Sequence, residues 1–253
     1  MSKRPFILLT NDDGVQSPGL QSLAAAMKRV GRPVIVAPDR DNSAASHSLT
    51  MNRPLKVCRL EEDIYSVDGT PADCVTLALS KILPGPPDLL VSGINPGANL
   101  GNDISYSGTV SAAREGAIRG IPSFAVSLVG KENFCFKTAA DFAGQLAGLI
   151  FKHGMPGETL LNVNVPNLNE AEIKGVKVTR QGRRQYKGGI KEITDPWGRP
   201  CFWIGGGTPT GDRGEGSDSH EILENYISIT PIHLDLSNYD VMTELEGFVY
   251  HEN

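Results

Sequence analysis

The chain has 253 residues, enough for one large α/β domain or for one domain with a smaller appendage. Its 24 Lys and Arg residues and 29 Asp and Glu residues give a formal net charge of −5. This balance supplies no basic field for a nucleic-acid backbone, so we expect no stable nucleic-acid complex. The four cysteines show no C-x-x-C spacing, so neither a zinc site nor a redox pair is indicated.

The apolar runs are short. The run after the basic N-terminus is too short for a signal peptide, and none approaches the roughly 18 apolar residues of a membrane span. We therefore expect a cytoplasmic enzyme without a membrane partner.

The N-terminal half alternates short apolar runs with segments of helical period. Strands are predicted at 6–10, 34–37, 88–94, 124–128 and 160–165, and a hairpin within 54–68. Helices are predicted at 18–30 (capped by Ser17, closed by Gly31), 70–83, 107–119 (ended by Gly120) and 138–152 (ended by Gly154). Because strands and helices alternate through short connections, the pattern predicts a doubly wound, mostly parallel sheet with helices on both faces.

The composition changes after residue 166. Residues 180–220 are rich in Gly, Arg and Pro, and the stretch 205–216, with six glycines, is predicted to be a loop at most. Strands at 201–204 and 226–232 and a terminal helix at 241–249 are predicted. We therefore divide the chain into a catalytic core, 1–166, and a C-terminal β-rich extension, 167–253.

Oxygen-bearing side chains follow three of the predicted strands, in 11–14, 39–43 and 95–99. Ligands of an open parallel sheet bind at the carboxyl ends of its strands, so these segments are expected to meet. Asp12 and Asp13 repel each other, and a divalent cation would offset that repulsion. Oxygen ligands suit Mg²⁺ or Mn²⁺ better than Zn²⁺. The alternative is that one aspartate caps the next helix while the other is solvated.

A second signal is the segment Ser107-Gly108-Thr109 before an alanine-rich helix. The free N–H groups of a helix N-terminus bind phosphate, although Ser107 or Thr109 acting as a simple cap is the alternative. Asn99 is a candidate donor of a hydrogen bond to phosphate, and the alternative is that it only holds its loop in place. His47 is a candidate proton donor, although an ordinary loop histidine is the simpler interpretation. The arginines at 180, 183 and 184 would reach a substrate phosphate or form a solvated face.

Together these motifs closely resemble the SurE family, the stationary-phase survival proteins that act as nucleoside-monophosphate phosphatases. The matching segments are 8–15, 37–40 with Ser43 and Ser46, 69–75, 91–101, 106–110, 162–166 and 226–231. They cover almost the whole chain in the expected order, and the 180–220 segment matches least. The combination of the double-Asp segment with the Ser-Gly-Ile-Asn segment is the most specific part.

The resemblance implies a set of roles for individual residues. Asp12, Asp13, Ser43 and Asn95 are expected to bind one divalent metal ion per subunit, Mg²⁺ or Mn²⁺. Asn99, Ser107, Gly108 and Thr109 are expected to face the substrate phosphate. The resemblance also implies a Rossmann-like core and a C-terminal part that exchanges elements between the subunits of a homodimer or homotetramer.

The expected activity is that of a metal-dependent 5′/3′-nucleotidase, with a small-molecule nucleotide as substrate and water as attacking group. Asp12, Asp13 and Asn99 are the expected catalytic residues, and other phosphate esters or short polyphosphate are possible side substrates. A haloacid-dehalogenase-type phosphatase is an alternative, but it requires Asp-x-Asp after the first strand. A receiver-like signalling domain and a nucleotide-binding regulator without turnover are the non-enzymatic alternatives.

Overall fold

The structure is a computed structural model that describes residues 4–205, 207–211 and 214–249. The basic start of the chain at 1–3, positions 206, 212 and 213 of the predicted glycine-rich loop, and residues 250–253 of the predicted extension lie outside the described residues. The strands are β1 Phe6–Thr10, β2 Arg32–Pro38, β3 Val57–Glu61, β4 Ile64–Val67, β5 Leu89–Pro96, β6 Ser123–Val129, β7 Thr159–Pro166, β8 Gly175–Val178, β9 Arg184–Lys187, β10 Ile190–Thr194, β11 Pro200–Ile204, β12 Thr208–Gly211 and β13 Tyr226–His233. The α-helices are α1 Pro18–Met27, α2 Pro71–Leu77, α3 Gly108–Ile118, α4 Lys137–His153, α5 Asp218–Leu223 and α6 Tyr239–Val249.

Nine strands form one sheet in the order β3-β4-β2-β1-β5-β6-β7-β13-β8. The pairs β4–β2–β1–β5–β6–β7 are all parallel, whereas β3–β4 and β7–β13 are antiparallel. The chain proceeds outward from β1 to β2 on one side and returns to place β5 on the other, so strand order reverses between β1 and β5. That reversal is the switch point at which such sheets bind ligands.

Helices cover both faces of this sheet, as the sequence predicted. Side chains of α1 and α4, such as Leu23 and Ala143, pack with β1 and β5 in one buried cluster. Side chains of α2 and α3, such as Val75 and Val110, pack with other residues of the same strands in a second cluster. The strands read as continuous apolar runs because both of their faces are buried.

Capping residues set where the helices begin. Ser17 caps α1, and Thr70 and Asp73 form a reciprocal capping box at α2. The predicted end of α1 was wrong, since the helix stops at Met27 and not at Gly31. Gly31 instead begins the approach to β2, where an added Cβ would lie 2.7 Å from the carbonyl oxygen of Pro5. The predicted helix 70–83 is also shorter, ending at Leu77 with a π turn after it.

The C-terminal extension continues the main sheet. Strand β13 pairs with β7 of the core and with β8, while β10–β11 and β9–β12 form separate two-stranded sheets. The predicted strands at 201–204 and 226–232 and the terminal helix are confirmed, whereas β8, β9, β10, β12 and α5 were not predicted. The prediction that 205–216 is only a loop was wrong, because β12 lies within it.

No helix in the described part of the chain is long and apolar enough to cross a membrane.

Candidate active site

A pocket of about 420 Å³ opens at the carboxyl edge of the sheet, beside the switch point. It is lined by Asp12, Asp13, Ser43, Ala44, Asn95, Pro96, Ala98, Asn99, Asp103, Tyr106, Ser107 and Tyr186. Six of the eight residues that the sequence singled out for metal or phosphate therefore meet there. Gly108 and Thr109 do not line the pocket but lie directly behind Asp12.

The Asp12 carboxylate is held by the first turn of α3. The Thr109 hydroxyl donates a short hydrogen bond to Asp12 Oδ1, and the Thr109 backbone N–H adds a second. Gly108 permits this approach, since an added Cβ would lie 2.8 Å from the Asp12 Cβ. Burial raises the pKa of Asp12, while the bonds from Thr109 oppose that rise. The positive end of α3 thus stabilises a buried carboxylate, and the Thr109 side chain contributes a hydrogen bond to it.

Asp13 lies in a less satisfied position. Burial, followed by the charges of Asp12 and Asp41, raises the pKa of Asp13 from 3.8 to about 7. Its Oδ2 atom is buried and has no hydrogen-bond partner among the described residues. A buried carboxylate oxygen without a donor is costly, and a bound cation is one way to offset that cost.

The two neutral candidates leave oxygen atoms available beside this pair. The Ser43 hydroxyl donates to Asp41 Oδ1 at 2.6 Å, so its own lone pairs are not used by that bond. The Asn95 Nδ2 atom donates to the carbonyl of Gly97 at 3.0 Å, which leaves the Asn95 side-chain oxygen as the free end of the amide. Two carboxylates and two neutral oxygens form a donor set that fits Mg²⁺ or Mn²⁺.

Zinc is a poorer fit for this pocket. Among the described residues, no three His, Cys, Asp or Glu side chains gather into a group that would hold a metal ion. A site at Asp12 and Asp13 therefore depends on Ser43 and Asn95 for its remaining protein ligands, and hydroxyl and amide oxygens are ligands of hard cations.

Asn99 is fixed by a buried network of amide groups. Asn164 accepts a hydrogen bond from the Asn99 N–H (3.0 Å) and donates one to its carbonyl (3.0 Å). Asn162 donates to the same carbonyl at 2.8 Å, and the Asn99 side chain donates to Ser127 Oγ at 2.8 Å. No role was predicted for Asn162, Asn164 or Ser127. The signal was two amides at i and i+2 in an otherwise apolar strand, which places both on one face.

The helix-cap interpretation of the acidic pair is wrong. The residue that caps α1 is Ser17, whose hydroxyl accepts from the N–H of Leu20 at 3.4 Å. Asn11 shapes the connecting turn by donating to Gly14 O and Ser17 Oγ. For α3 the cap interpretation holds, because Ser107 accepts from the N–H of Val110 at 3.1 Å, yet Ser107 also lines the pocket.

The remaining candidates lie around the pocket. His47 is not among the residues that line the pocket. Its Nε2 atom lies 3.1 Å from Glu115 Oε2. Burial disfavours the ionised form of Glu115, but the bonds from His47 and Thr76 and the charge of Arg119 together lower its pKa. Arg184 forms an ion pair with Asp103 at 2.8 Å, next to the pocket.

The fold and the site together define a doubly wound α/β protein with a pocket of oxygen ligands at its switch point. Residues 7–188 match the family model described as "Survival protein SurE". The chain therefore belongs to the SurE family.

Relatives cover nearly the whole chain. A protein of Pelobacter propionicus named "5'-nucleotidase SurE" is 49% identical over 245 residues, 96% of this chain and 99% of its own. A protein of Aquifex aeolicus with the same name is 50% identical over 244 residues, 96% and 97% of the two chains. The crystal structure of the Sure protein from Aquifex aeolicus superposes with a TM-score of 0.86 at 48% identity, covering 97% of this chain and 100% of that one.

Proposed function

We propose that the protein is a phosphoric monoester hydrolase that releases inorganic phosphate from nucleoside monophosphates. The observation that carries this proposal is the buried Oδ2 atom of Asp13, which has no hydrogen-bond partner within the described part of the chain. It lies beside Asp12, in a pocket that also contains Ser43, Asn95 and Asn99. The name 5'-nucleotidase, which the similar proteins of Pelobacter propionicus and Aquifex aeolicus bear, supports the same activity.

Asp12, Asp13, Ser43 and Asn95 would hold one divalent cation, Mg²⁺ or Mn²⁺. When bound, such an ion polarises a phosphoryl oxygen and lowers the pKa of an attacking water molecule. Thr109 holds the Asp12 carboxyl group in place and opposes the rise in its pKa, because the Thr109 hydroxyl and backbone N–H donate hydrogen bonds to it. This fixed carboxylate is the part of the site that the chain organises before any ligand arrives.

The phosphate would lie between Asn99 and the first turn of α3. Asn164 fixes the backbone of Asn99, so the Asn99 amide is in position before substrate binds. It therefore loses little conformational freedom on binding. Ser107 lines the pocket at the N-terminus of α3, where the helix presents partial positive charge to the equatorial oxygens. Gly108 and Thr109 would act there through backbone groups and through Asp12.

Direct attack by water is the proposed route. Of the two serines that line the pocket, Ser43 would give its oxygen to the metal ion and Ser107 caps α3, so neither is assigned as a nucleophile. A haloacid-dehalogenase-type mechanism would need a nucleophilic aspartate in an Asp-x-Asp segment, whereas Asp12 and Asp13 are adjacent.

A panel of phosphate substrates tests the proposal. Purified protein is incubated with nucleoside 5′- and 3′-monophosphates, other phosphate esters and short polyphosphate, each with Mg²⁺, Mn²⁺ or a chelator, and phosphate release is measured. We expect metal-dependent release from the nucleotides, with loss of turnover in Asp12→Asn. Asp141→Asn, at a half-buried aspartate on α4 paired with Lys137, is the matched control and should keep the normal rate.

Three outcomes would contradict the proposal. Normal turnover by Asp12→Asn would remove the assigned site. A trapped phosphoenzyme would favour the aspartyl-phosphate mechanism. Nucleotide binding without any phosphate release would favour a regulatory protein.

We also propose that the chain acts in the cytoplasm as a homodimer or homotetramer through its C-terminal extension. The hairpin β10–β11 exposes Phe202, Trp203 and Ile204, with 66% of the Trp203 surface open. Large apolar side chains grouped on one hairpin are typical of a protein interface. Light scattering after gel filtration should give a multiple of the 27.1 kDa chain mass, and a lower mass for Trp203→Ser. A monomeric mass at micromolar concentration would contradict this proposal.

A further inference from the structure

Two tyrosine rings line the same pocket as the oxygen ligands. Tyr106 is 67% exposed and Tyr186 is 51% exposed, although both belong to the pocket lining. Tyr106 follows the loop after β5, whereas Tyr186 comes from β9 of the C-terminal extension. Exposed aromatic rings in a pocket lining offer flat apolar faces on which a flat ring of a ligand can pack.

The position of Tyr186 is fixed by its neighbours. Its hydroxyl donates to Asp103 Oδ2 at 2.5 Å, and Arg184 donates to the same atom at 2.8 Å. The guanidinium carbon of Arg184 also lies 5.7 Å from the centre of the Tyr186 ring. The ring therefore stands in one orientation at the pocket without a ligand, which reduces the entropy lost on binding.

The segment that leads into Tyr186 is attached to the pocket loop by a buried carboxylate. Asp218, which is fully buried, accepts hydrogen bonds from the N–H groups of Gly101 (2.8 Å) and Gly182 (3.1 Å). Gln181 donates to the carbonyl of Gly101 at 2.9 Å. Tyr106 is tied to the same loop, because its N–H donates to the carbonyl of Asp103 at 2.9 Å. Hydrogen bonds thus connect the segments that carry the two rings, with Asp103 between them.

The pocket lining combines two kinds of chemistry. Carboxylate, hydroxyl and amide oxygens line it together with the side chains of Tyr106 and Tyr186. A ligand that uses both kinds of group carries a phosphate and a flat aromatic group in one molecule. A volume of about 420 Å³ lies within the range of small-molecule sites. Phosphate esters of simple sugars or glycerol would leave both rings uncovered.

We propose that Tyr106 and Tyr186 bind the nucleobase of the substrate by stacking, and that they select nucleotides over phosphate esters that lack a base. This inference rests on the proposed function, since it names the part of the substrate that the two tyrosines bind. Stacking is tolerant of base identity but increases with ring area, so purine nucleotides bind more tightly than pyrimidine nucleotides.

Kinetics with two substrates tests this selection. KM is measured for adenosine 5′-monophosphate and for ribose 5-phosphate, which lacks the base, in Tyr106→Ala and Tyr186→Ala. We expect KM for the nucleotide to rise about tenfold in each variant, while kcat for both substrates and KM for ribose 5-phosphate stay unchanged. Tyr186→Phe keeps the ring and should retain most of the affinity. Tyr239→Ala, an exposed tyrosine on α6, is the matched control.

Binding of adenosine to the metal-free protein gives a readout that does not depend on turnover. Calorimetry should detect adenosine binding to the unsubstituted protein and to Tyr239→Ala, and its loss in the double variant of Tyr106 and Tyr186. An equal rise of KM for both substrates, or equal adenosine binding by the double variant, would overturn the base-binding role. If phosphate is released from neither substrate, the proposed function is overturned instead. Adenosine binding would still decide the role of the rings.

Discussion

The metal-free protein should be destabilised by its own Asp13 carboxylate at neutral pH. Burial and the charges of Asp12 and Asp41 raise the pKa of Asp13 from 3.8 to about 7. Between these values the folded state retains a proton that the unfolded chain has released. Stability therefore falls as pH rises from about 4 to about 7, and the whole penalty is present above pH 7. Asp13→Asn removes the ionisable group and should stabilise the metal-free protein at pH 8.

The size of this effect follows from the two pKa values. The rise from 3.8 to about 7 sets an upper limit of about 4 kcal/mol at pH 8. Asp13 is only half-buried, so solvent screens its charge and we expect about 1–2 kcal/mol. Each kcal/mol shifts the melting temperature of a chain of this size by about 2–4 °C. The variant should therefore melt about 2–8 °C above the unsubstituted protein at pH 8, with the difference vanishing near pH 4.

Thermal melts in chelator from pH 4 to pH 8, followed by circular dichroism, measure this difference. Added Mg²⁺ should raise the melting temperature of the unsubstituted protein but not that of Asp13→Asn. Asp141→Asn is the control of opposite sign, because a hydrogen bond from Lys137 lowers the pKa of Asp141. A metal-free Asp13→Asn protein that melts below the unsubstituted protein at pH 8 would show that the Asp13 carboxylate does not destabilise the fold.

Four further substitutions, one of them a control, test the supports of the site and the fold. Thr109→Val removes a buried hydrogen bond to a carboxylate ligand, so calorimetry should show Mg²⁺ affinity about tenfold weaker; unchanged affinity would contradict that role. Asn164→Leu frees the backbone of Asn99, and urea unfolding should show a loss of about 2 kcal/mol, with a lower kcat. Gly19→Ala places a Cβ 2.0 Å from a carbonyl oxygen and should lower the melting temperature, whereas Gly148→Ala, on an open helix surface, should raise it by a few degrees. Equal shifts for the two glycines would contradict the packing of α1.

The core of the fold was predictable because its signals are local. Ser17 with Pro18 and Thr70 with Pro71 mark helix starts through caps and fixed φ angles, and the structure places α1 and α2 there. The apolar run Phe6–Thr10 is a strand because both of its faces are buried.

Other elements depend on partners that are remote in sequence. Strand β8 has four residues and exists because it pairs with β13, which lies far along the chain. Helix α5 has six residues, too few to show a helical period. The division at residue 166 stays a prediction, and the pairing of β7 with β13 places both of its parts in one sheet.

The site was predictable to the extent that strand ends determine it. Asp12, Asp13 and Asn95 follow β1 or end β5, so the parallel sheet brings them together at one edge. The partner of Thr109 was not predictable, because the rotation of α3 decides whether its hydroxyl meets Asp12 or the pocket. Tyr186 could not be assigned either, since its place at the pocket depends on its own hydrogen bond to Asp103 and on the bond from Gly182 to Asp218, and not on any motif.

We propose that one divalent cation on the acidic pair makes this pocket a nucleotidase. The rate of phosphate release from a nucleoside 5′-monophosphate, measured as free Mg²⁺ or Mn²⁺ is raised from zero, tests this most directly. We predict no turnover in chelator, a saturable single-site rise with added metal, and no rise in Asp13→Asn. Turnover that persists in chelator at the metal-saturated rate would contradict it.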